Sequence, residues 1–376
     1  MNGQPATERA RNVILIIADG MSQTHVDYAA YTMFGSQSMT GNAPPRLAFE
    51  EFGSNGLLTT YCLNSFVSES ASCGTAMATG RKTNLWHVGV GPDWEPMDTI
   101  AEIADRRGKG VGIVTNMAVN HATPATFYAK VMHRRLVNEI WQQFFEVPFV
   151  DVILGGAVLQ QYPGEEIPDH EPIPESEIVA AARGAGYLYF TLENLEELDP
   201  VAMSGRKVFG TFDDTPDDHM VFATSRTLES REPELAELSV MALDLLRAHE
   251  EGFFLMIEAG TIDLTGHRTD PEILLGEMKT LHETVLAVRK WLEETGRAEE
   301  TLVIVCADHD CGGPAMVGPI FRNLEPGQTP EIRYAVDNHT AVSVPIWATG
   351  PGAWRVRGKN DNTHVFTVML NAFGFY

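Results

Sequence analysis

Three stretches of this sequence, Asn12–Ala18, Gly252–Ile257 and Thr301–Ala307, are nearly unbroken apolar runs rich in β-branched residues. Runs without polar alternation form strands buried on both faces, as in a parallel sheet covered by helices. Parallel strands need long crossover connections, so a chain carrying several of them is constrained to an α/β architecture. The fold expected is a three-layer αβα sandwich around a mostly parallel central sheet, with loop insertions.

The residues after these runs are as informative. Asp19-Gly20 ends the first; Glu258, Asp263 and His267 follow the second; Asp308-His309 ends the third. Asn338-His339 precedes a further predicted strand, Val342–Ala348. One Asp-Gly after a strand is ordinary turn chemistry. Asp19, Glu258, Asp263 and Asp308 together with His267, His309 and His339 are more than that, because open α/β sheets bind ligands at the carboxyl ends of their strands. Carboxylates gathered there repel one another and take up protons unless cations neutralise them. Mixed carboxylate and imidazole donors suit zinc, and an oxygen-only remainder suits magnesium.

A nucleophile is available in Val67-Ser68-Glu69-Ser70-Ala71-Ser72-Cys73-Gly74-Thr75-Ala76, where Ser70 opens a predicted helix among small residues. A serine hydroxyl needs a base or a metal to become reactive. No Gly-x-Ser-x-Gly elbow surrounds it, which disfavours a hydrolase triad. A helix N-terminus also offers amide N–H groups and the positive end of a dipole to an anion.

The run from Glu69 to Thr83, Glu-Ser-Ala-Ser-Cys-Gly-Thr-Ala-Met-Ala-Thr-Gly-Arg-Lys-Thr, resembles the nucleophile motif of the metal-dependent alkaline phosphatases, and the resemblance extends from about Asn12 to about Phe366. It implies a phosphate monoester hydrolase with a phosphoserine intermediate on Ser70, two zinc ions and one magnesium ion. Asp263, His267 and His339 would hold the first zinc, and Asp19, Asp308, His309 and the Ser70 oxygen the second. Asp19 would also reach the magnesium, with Thr123 of His121-Ala122-Thr123-Pro124 and with Glu258. Counting along that segment puts the phosphate-gripping arginine at Arg134, with Arg135 a lesser candidate. Glu69 stands where the family has an Asp that orients this arginine, and His121 where some relatives have an Asp near the magnesium. Leu264 stands where relatives carry Lys, His or Trp. The resemblance further implies phosphate monoesters and inorganic phosphate as ligands, a possible homodimer, and a periplasmic or secreted location. Two alternatives stay open: a phosphodiesterase or phosphonate hydrolase of the same superfamily, and a non-catalytic, metal-stabilised acidic binding protein.

Composition limits the rest. A formal charge of −24 disfavours nucleic acid as a partner, and 44% hydrophobic content in 376 residues allows a large core. The expected organisation is one domain over residues 1–376, with a polar extension at 1–11 and insertion or loop regions at about 157–230 and 312–337. Residues 1–11 lack the hydrophobic centre of a signal peptide, and no apolar run reaches the roughly eighteen residues of a membrane span. Pro163–Glu177 reads as a surface loop, and Glu232–His249 as an amphipathic helix. Cys306 and Cys311 are expected to stay reduced. Cys311 is a conceivable thiolate ligand, although Asp308-His309 already fills that role. Trp86 and His87, after the nucleophile helix, could shape the mouth of a pocket, with packing in the core the favoured expectation.

Overall fold

The computed structural model describes residues 9–36, 44–161, 173–213, 219–227, 230–318 and 323–375. Its strands are β1 (Asn12–Ala18), β2 (Ser54–Thr59), β3 (Gly110–Ala118), β4 (Val152–Gly156), β5 (Leu188–Thr191), β6 (Val208–Thr211) and β7 (Phe253–Ala259). They continue with β8 (Thr301–Cys306), β9 (Asp310–Cys311), β10 (Pro314–Val317), β11 (Glu331–Tyr334), β12 (His339–Thr340), β13 (Val344–Thr349) and β14 (Gly358–Asp361). Ten of them form one sheet in the order β14-β2-β13-β8-β1-β7-β3-β4-β6-β5. Within this sheet, among the described residues, only β13 runs against its neighbours, pairing antiparallel with both β8 and β2.

The apolar runs occupy the centre of this sheet. Every residue of β1, β3, β7 and β8 is buried. Successive side chains point to opposite faces, and β7 shows both layers at once. Phe253 meets Trp291 of the helix Pro271–Glu294, while Phe254 stacks on Phe127 beyond the short helix Ala122–Ala125. The first layer also contains the helix Leu235–Leu246, which packs on β3, β4 and the long helix. That long helix starts cleanly because Asp270 accepts the amides of Glu272 and Ile273, and Pro271 at its first position has no N–H to leave unpaired.

The architecture is the αβα sandwich expected, and several local expectations change. Glu258 lies inside β7, not past its end. The helix expected over 232–249 spans Leu235–Leu246, and the last predicted strand spans Val344–Thr349. The region 157–230 is not merely an insertion: β6 pairs parallel with β4 and β5 parallel with β6, so both extend the main sheet. The loop expected at 163–177 gives way at Glu175 to a helix reaching Gly184; residues 162–172 lie outside the described ones. Within 312–337, β10 and β11 pair as an antiparallel ribbon, with 319–322 outside the described residues. Residues 1–8 of the polar N-terminal segment also lie outside. No helix of the described residues is long and apolar enough to cross a membrane. All four cysteines are buried free thiols.

Candidate active site

Four neighbouring parallel strands, β8, β1, β7 and β3, deliver the chemistry from their carboxyl ends. Asp308 and His309 follow β8, Asp19 follows β1, Glu258 is the penultimate residue of β7, and Thr123 stands on the short helix after β3. Asp263 and His267 come from the helix Thr261–Arg268 that leaves β7, one turn apart, so that Asp263 Oδ2 and His267 Nε2 lie 3.2 Å from each other. His339 arrives from the far side, because β12 pairs with β9 and sets His339 opposite Cys311. A glycine is required at position 20, where φ is +72° and a Cβ would sit 2.6 Å from Asp263 Oδ1; its amide donates to Asp308 Oδ1 at 3.1 Å.

The imidazoles are oriented by backbone carbonyls. His267 Nδ1 lies 2.9 Å from Asp337 O and His339 Nδ1 lies 2.8 Å from Ser68 O, which makes each Nδ1 the donor. Their Nε2 lone pairs therefore face each other at 3.2 Å, an arrangement that repels unless a proton or a cation lies between them. Asp263 faces both imidazoles, with Oδ2 3.2 Å from His267 Nε2 and Oδ1 3.4 Å from His339 Nε2, so neighbouring donors of the set are 3.2 to 3.4 Å apart. A tetrahedral zinc with bonds near 2.0–2.1 Å requires edges of about 3.3 Å. The sulfur of fully buried Cys311 belongs to this donor set rather than to the Asp308-His309 set.

A second set lies beside it. His309 Nε2 is 3.3 Å from Asp19 Oδ1, 3.2 Å from Asp308 Oδ2 and 3.2 Å from Ser70 Oγ, and the Ser70 hydroxyl is 3.5 Å from Asp19 Oδ1. The other Asp19 oxygen accepts the Thr123 hydroxyl at 3.1 Å, and Glu258 accepts that of Thr115. Asp308 Oδ2, Glu258 Oε1 and Asp263 Oδ1 are buried carboxylate oxygens with no hydrogen bond. Buried acceptors are normally satisfied. Their convergence fits divalent cations: two mixed nitrogen and oxygen sets, and an oxygen set of Asp19, Thr123 and Glu258.

The electrostatics express the same demand. Burial, then the charges of Asp308, Asp263 and Glu258, raises the Asp19 carboxyl well above its usual range. Burial pushes Glu258 up to about 7 and Asp308 up to about 6. Burial lowers the His309 imidazole well below its usual value. His339 goes the other way: burial lowers it, but the adjacent Asp263 carboxylate outweighs burial and pushes it up to about 9. Without a cation, protons compensate the cluster.

Beside the two sets stands a brace. Glu69 caps the helix Ser70–Thr79, its carboxylate accepting the amides of Ala71 at 2.9 Å and Ser72 at 2.8 Å and, from a distant loop, that of Trp86 at 3.0 Å. Two first-turn amides expected to face an anion are thus engaged by Glu69. The same carboxylate pairs with Arg134 Nη1 at 3.1 Å, and Arg134 Nη2 donates to His121 Nε2 at 3.0 Å. Burial would raise Glu69, yet Arg134 and these amides hold it below the usual carboxylate value. His121, buried beside the guanidinium, is held well below its usual pKa and so stays neutral.

The sequence-predicted residues Asp19, Glu69, Ser70, His121, Thr123, Arg134, Glu258, Asp263, His267, Asp308, His309 and His339 thus gather around one centre. Trp86 departs from expectation: it is 41% exposed and, with Leu264, lines the cavity over Ser70, whereas His87 is buried. Sequence reasoning missed Thr115 and Asn116. Asn116 accepts the Gly260 amide at 2.7 Å, fixing the turn between Glu258 and Asp263. The visible signal was two polar side chains inside the otherwise apolar β3.

A sequence profile described as Alkaline phosphatase matches residues 10–329. Streptomycin-6-phosphate phosphatase of Streptomyces griseus is 32% identical, over 98% of this chain and 93% of that protein. Alkaline phosphatase 4 of Bacillus subtilis is 28% identical over 81% of this chain, which spans 62% of that longer protein. Among solved structures, the alkaline phosphatase of Thermus thermophilus superposes with a TM-score of 0.79 at 25% identity, covering 98% of this chain and 92% of the other. That of the Antarctic bacterium TAB5 shares the fold with a TM-score of 0.78 at 24% identity, over 98% and 99%. A buried carboxylate and imidazole cluster, a helix-opening serine at its edge and a profile match over most of the sequence lead to one conclusion: this chain belongs to the alkaline phosphatase family of phosphomonoester hydrolases.

Proposed function

We propose that the protein hydrolyses phosphate monoesters by passing the phosphoryl group first to Ser70 Oγ and then to water, at a centre that binds two zinc ions and one magnesium ion. One observation carries the reading: the Ser70 hydroxyl lies 3.2 Å from His309 Nε2 and 3.5 Å from Asp19 Oδ1, at the edge of donor sets in which Asp308 Oδ2, Glu258 Oε1 and Asp263 Oδ1 are buried without a hydrogen bond. In this reading Asp263, His267 and His339 hold one zinc. Asp19, Asp308 and His309 hold the other beside Ser70, and Asp19, Thr123 and Glu258 hold the magnesium. When bound there, the ions supply Lewis acidity that makes a hydroxyl or water acidic and neutralises charge on a departing oxygen.

The chain's own groups do the rest. The Ser70 hydroxyl gives up its proton to solvent and Oγ attacks phosphorus as the ester P–O bond breaks in line with it; the departing alkoxide or phenoxide takes a proton back from solvent. A water oxygen then attacks the phosphoserine, the bond from phosphorus to Ser70 breaks, and Oγ regains a proton as inorganic phosphate leaves. Arg134 holds two non-bridging oxygens through a planar fork that a lysine cannot reproduce. Glu69 and neutral His121 keep that fork in place from either side.

Turnover of p-nitrophenyl phosphate against bis-p-nitrophenyl phosphate, run with metal analysis of wild type and Ser70→Ala, tests this reading. The monoester should be preferred, and the variant should lose most activity while keeping its metal. A diester preference would favour the phosphodiesterase alternative, and full activity in the variant would end Ser70's role as nucleophile.

A further inference from the structure

The wall around the nucleophile is of two kinds. Glu69, Ser70, His121, Arg134, Asp263, His267 and His339 form the charged floor of a cavity of about 500 Å³. Above the floor the lining is Val67, Leu85, Trp86, Met117, Gly260 and Leu264, with Ser65, Ser68 and Asn338 as polar members. An oxygen of each is already engaged: Ser65 Oγ accepts the Val67 amide, Ser68 Oγ accepts from the Cys73 thiol, and Asn338 Oδ1 accepts the His339 amide. A leaving group rich in hydroxyls would find few partners there, and unpaired polar groups are what a binding site rejects most strongly.

Trp86 dominates this upper wall, and its backbone is strained to put it there. Its φ is +72°, a region that bulky L residues rarely adopt. The conformation is pinned from both sides by the residues that handle phosphate: the Trp86 amide donates to Glu69 Oε1 at 3.0 Å, and the Arg134 amide donates to the Trp86 carbonyl at 2.8 Å. The indole is backed by His133, with ring centroids 5.7 Å apart and planes 14° from parallel. Strain held this firmly at a site points to a role in binding.

Building on the phosphomonoesterase reading, we infer that Trp86 is a stacking platform for the leaving group, and that the preferred substrates are phosphate monoesters of flat aromatic alcohols. A planar ring laid on the indole keeps the ester oxygen over Ser70 while burying apolar surface against Leu85 and Leu264. A polyol or sugar phosphate has no comparable face to offer.

The test compares kcat/KM for 2-naphthyl phosphate and glycerol 1-phosphate in wild type, Trp86→Gly and Trp86→Phe; comparing each ester with itself across the variants cancels intrinsic leaving-group reactivity. Trp86→Gly suits the positive φ, so it should fold with an equal or higher melting temperature. It should lose about tenfold on the naphthyl ester and less than twofold on the glycerol ester, with Trp86→Phe recovering most of the loss. Equal losses on both esters, or none on either, would overturn the platform and leave the phosphomonoesterase reading standing. A wild type inactive on both would overturn the phosphomonoesterase reading and the platform with it.

Discussion

The stabilisation that divalent cations give should grow as pH rises through the range in which the buried carboxylates ionise and the histidines lose their protons. In the cation-free protein Glu258 is raised from 4.5 to about 7 and Asp308 from 3.8 to about 6, both chiefly by burial. A group whose folded pKa exceeds its unfolded value binds more protons in the folded state. The stability it supports is complete below the unfolded pKa and is lost as pH climbs through the folded one. The window here runs from about pH 4 to about pH 7. At 1.36 kcal/mol per unit, each shift corresponds to about 3 kcal/mol. Asp19, raised in the same direction, adds to the effect. Cations bind the ionised carboxylates, so their stabilisation grows over the same window. Thermal melts at pH 5, 6, 7 and 8, in chelator and again with zinc and magnesium, provide the assay. The metal-induced rise in melting temperature should be small at pH 5 and many degrees at pH 8. An equal metal-induced rise at both ends, or a larger one at pH 5 than at pH 8, would refute the reasoning.

Other perturbations have simpler outcomes. Arg134→Lys keeps the charge and loses the fork, so kcat/KM on p-nitrophenyl phosphate should fall by about a hundredfold, with weaker inhibition by inorganic phosphate. His121→Ala removes one neutral acceptor from the Arg134 brace, and steady-state kinetics should show KM raised by about fivefold. Phe254→Ala opens a cavity in a fully buried strand of the central sheet, and urea denaturation of the metal-loaded protein should show a loss of about 4 kcal/mol.

The centre of the molecule was legible because its strands are buried on both faces, which writes continuous apolar runs into the sequence. The ligands were legible because each run ends in a carboxylate whose charge has no structural use at that position. β5, β6 and the β10–β11 ribbon were harder to read, since strands at a margin carry weaker patterns and their identity is decided by pairing partners far along the chain. Glu258 was placed one step too far out because a charged residue reads as the end of a buried strand; in the structure it lies inside β7, with the Thr115 hydroxyl donating to one of its oxygens. Glu69 spends its carboxylate on three amides and a guanidinium, a division that depends on Trp86 and Arg134 arriving from elsewhere. Trp86 was misread for a related reason. An aromatic after a nucleophile helix usually packs inward, and nothing local announces a positive φ.

The central claim is that the Ser70 oxygen, beside a divalent centre, receives the phosphoryl group. Acid quenching during turnover, followed by peptide mass spectrometry, tests it directly. The account predicts one phosphoryl group on the peptide containing Ser70 in the metal-loaded enzyme, and none in Ser70→Ala or after chelation. Steady turnover with no phosphorylated Ser70 under any quench condition, or phosphate on a different residue, would contradict it.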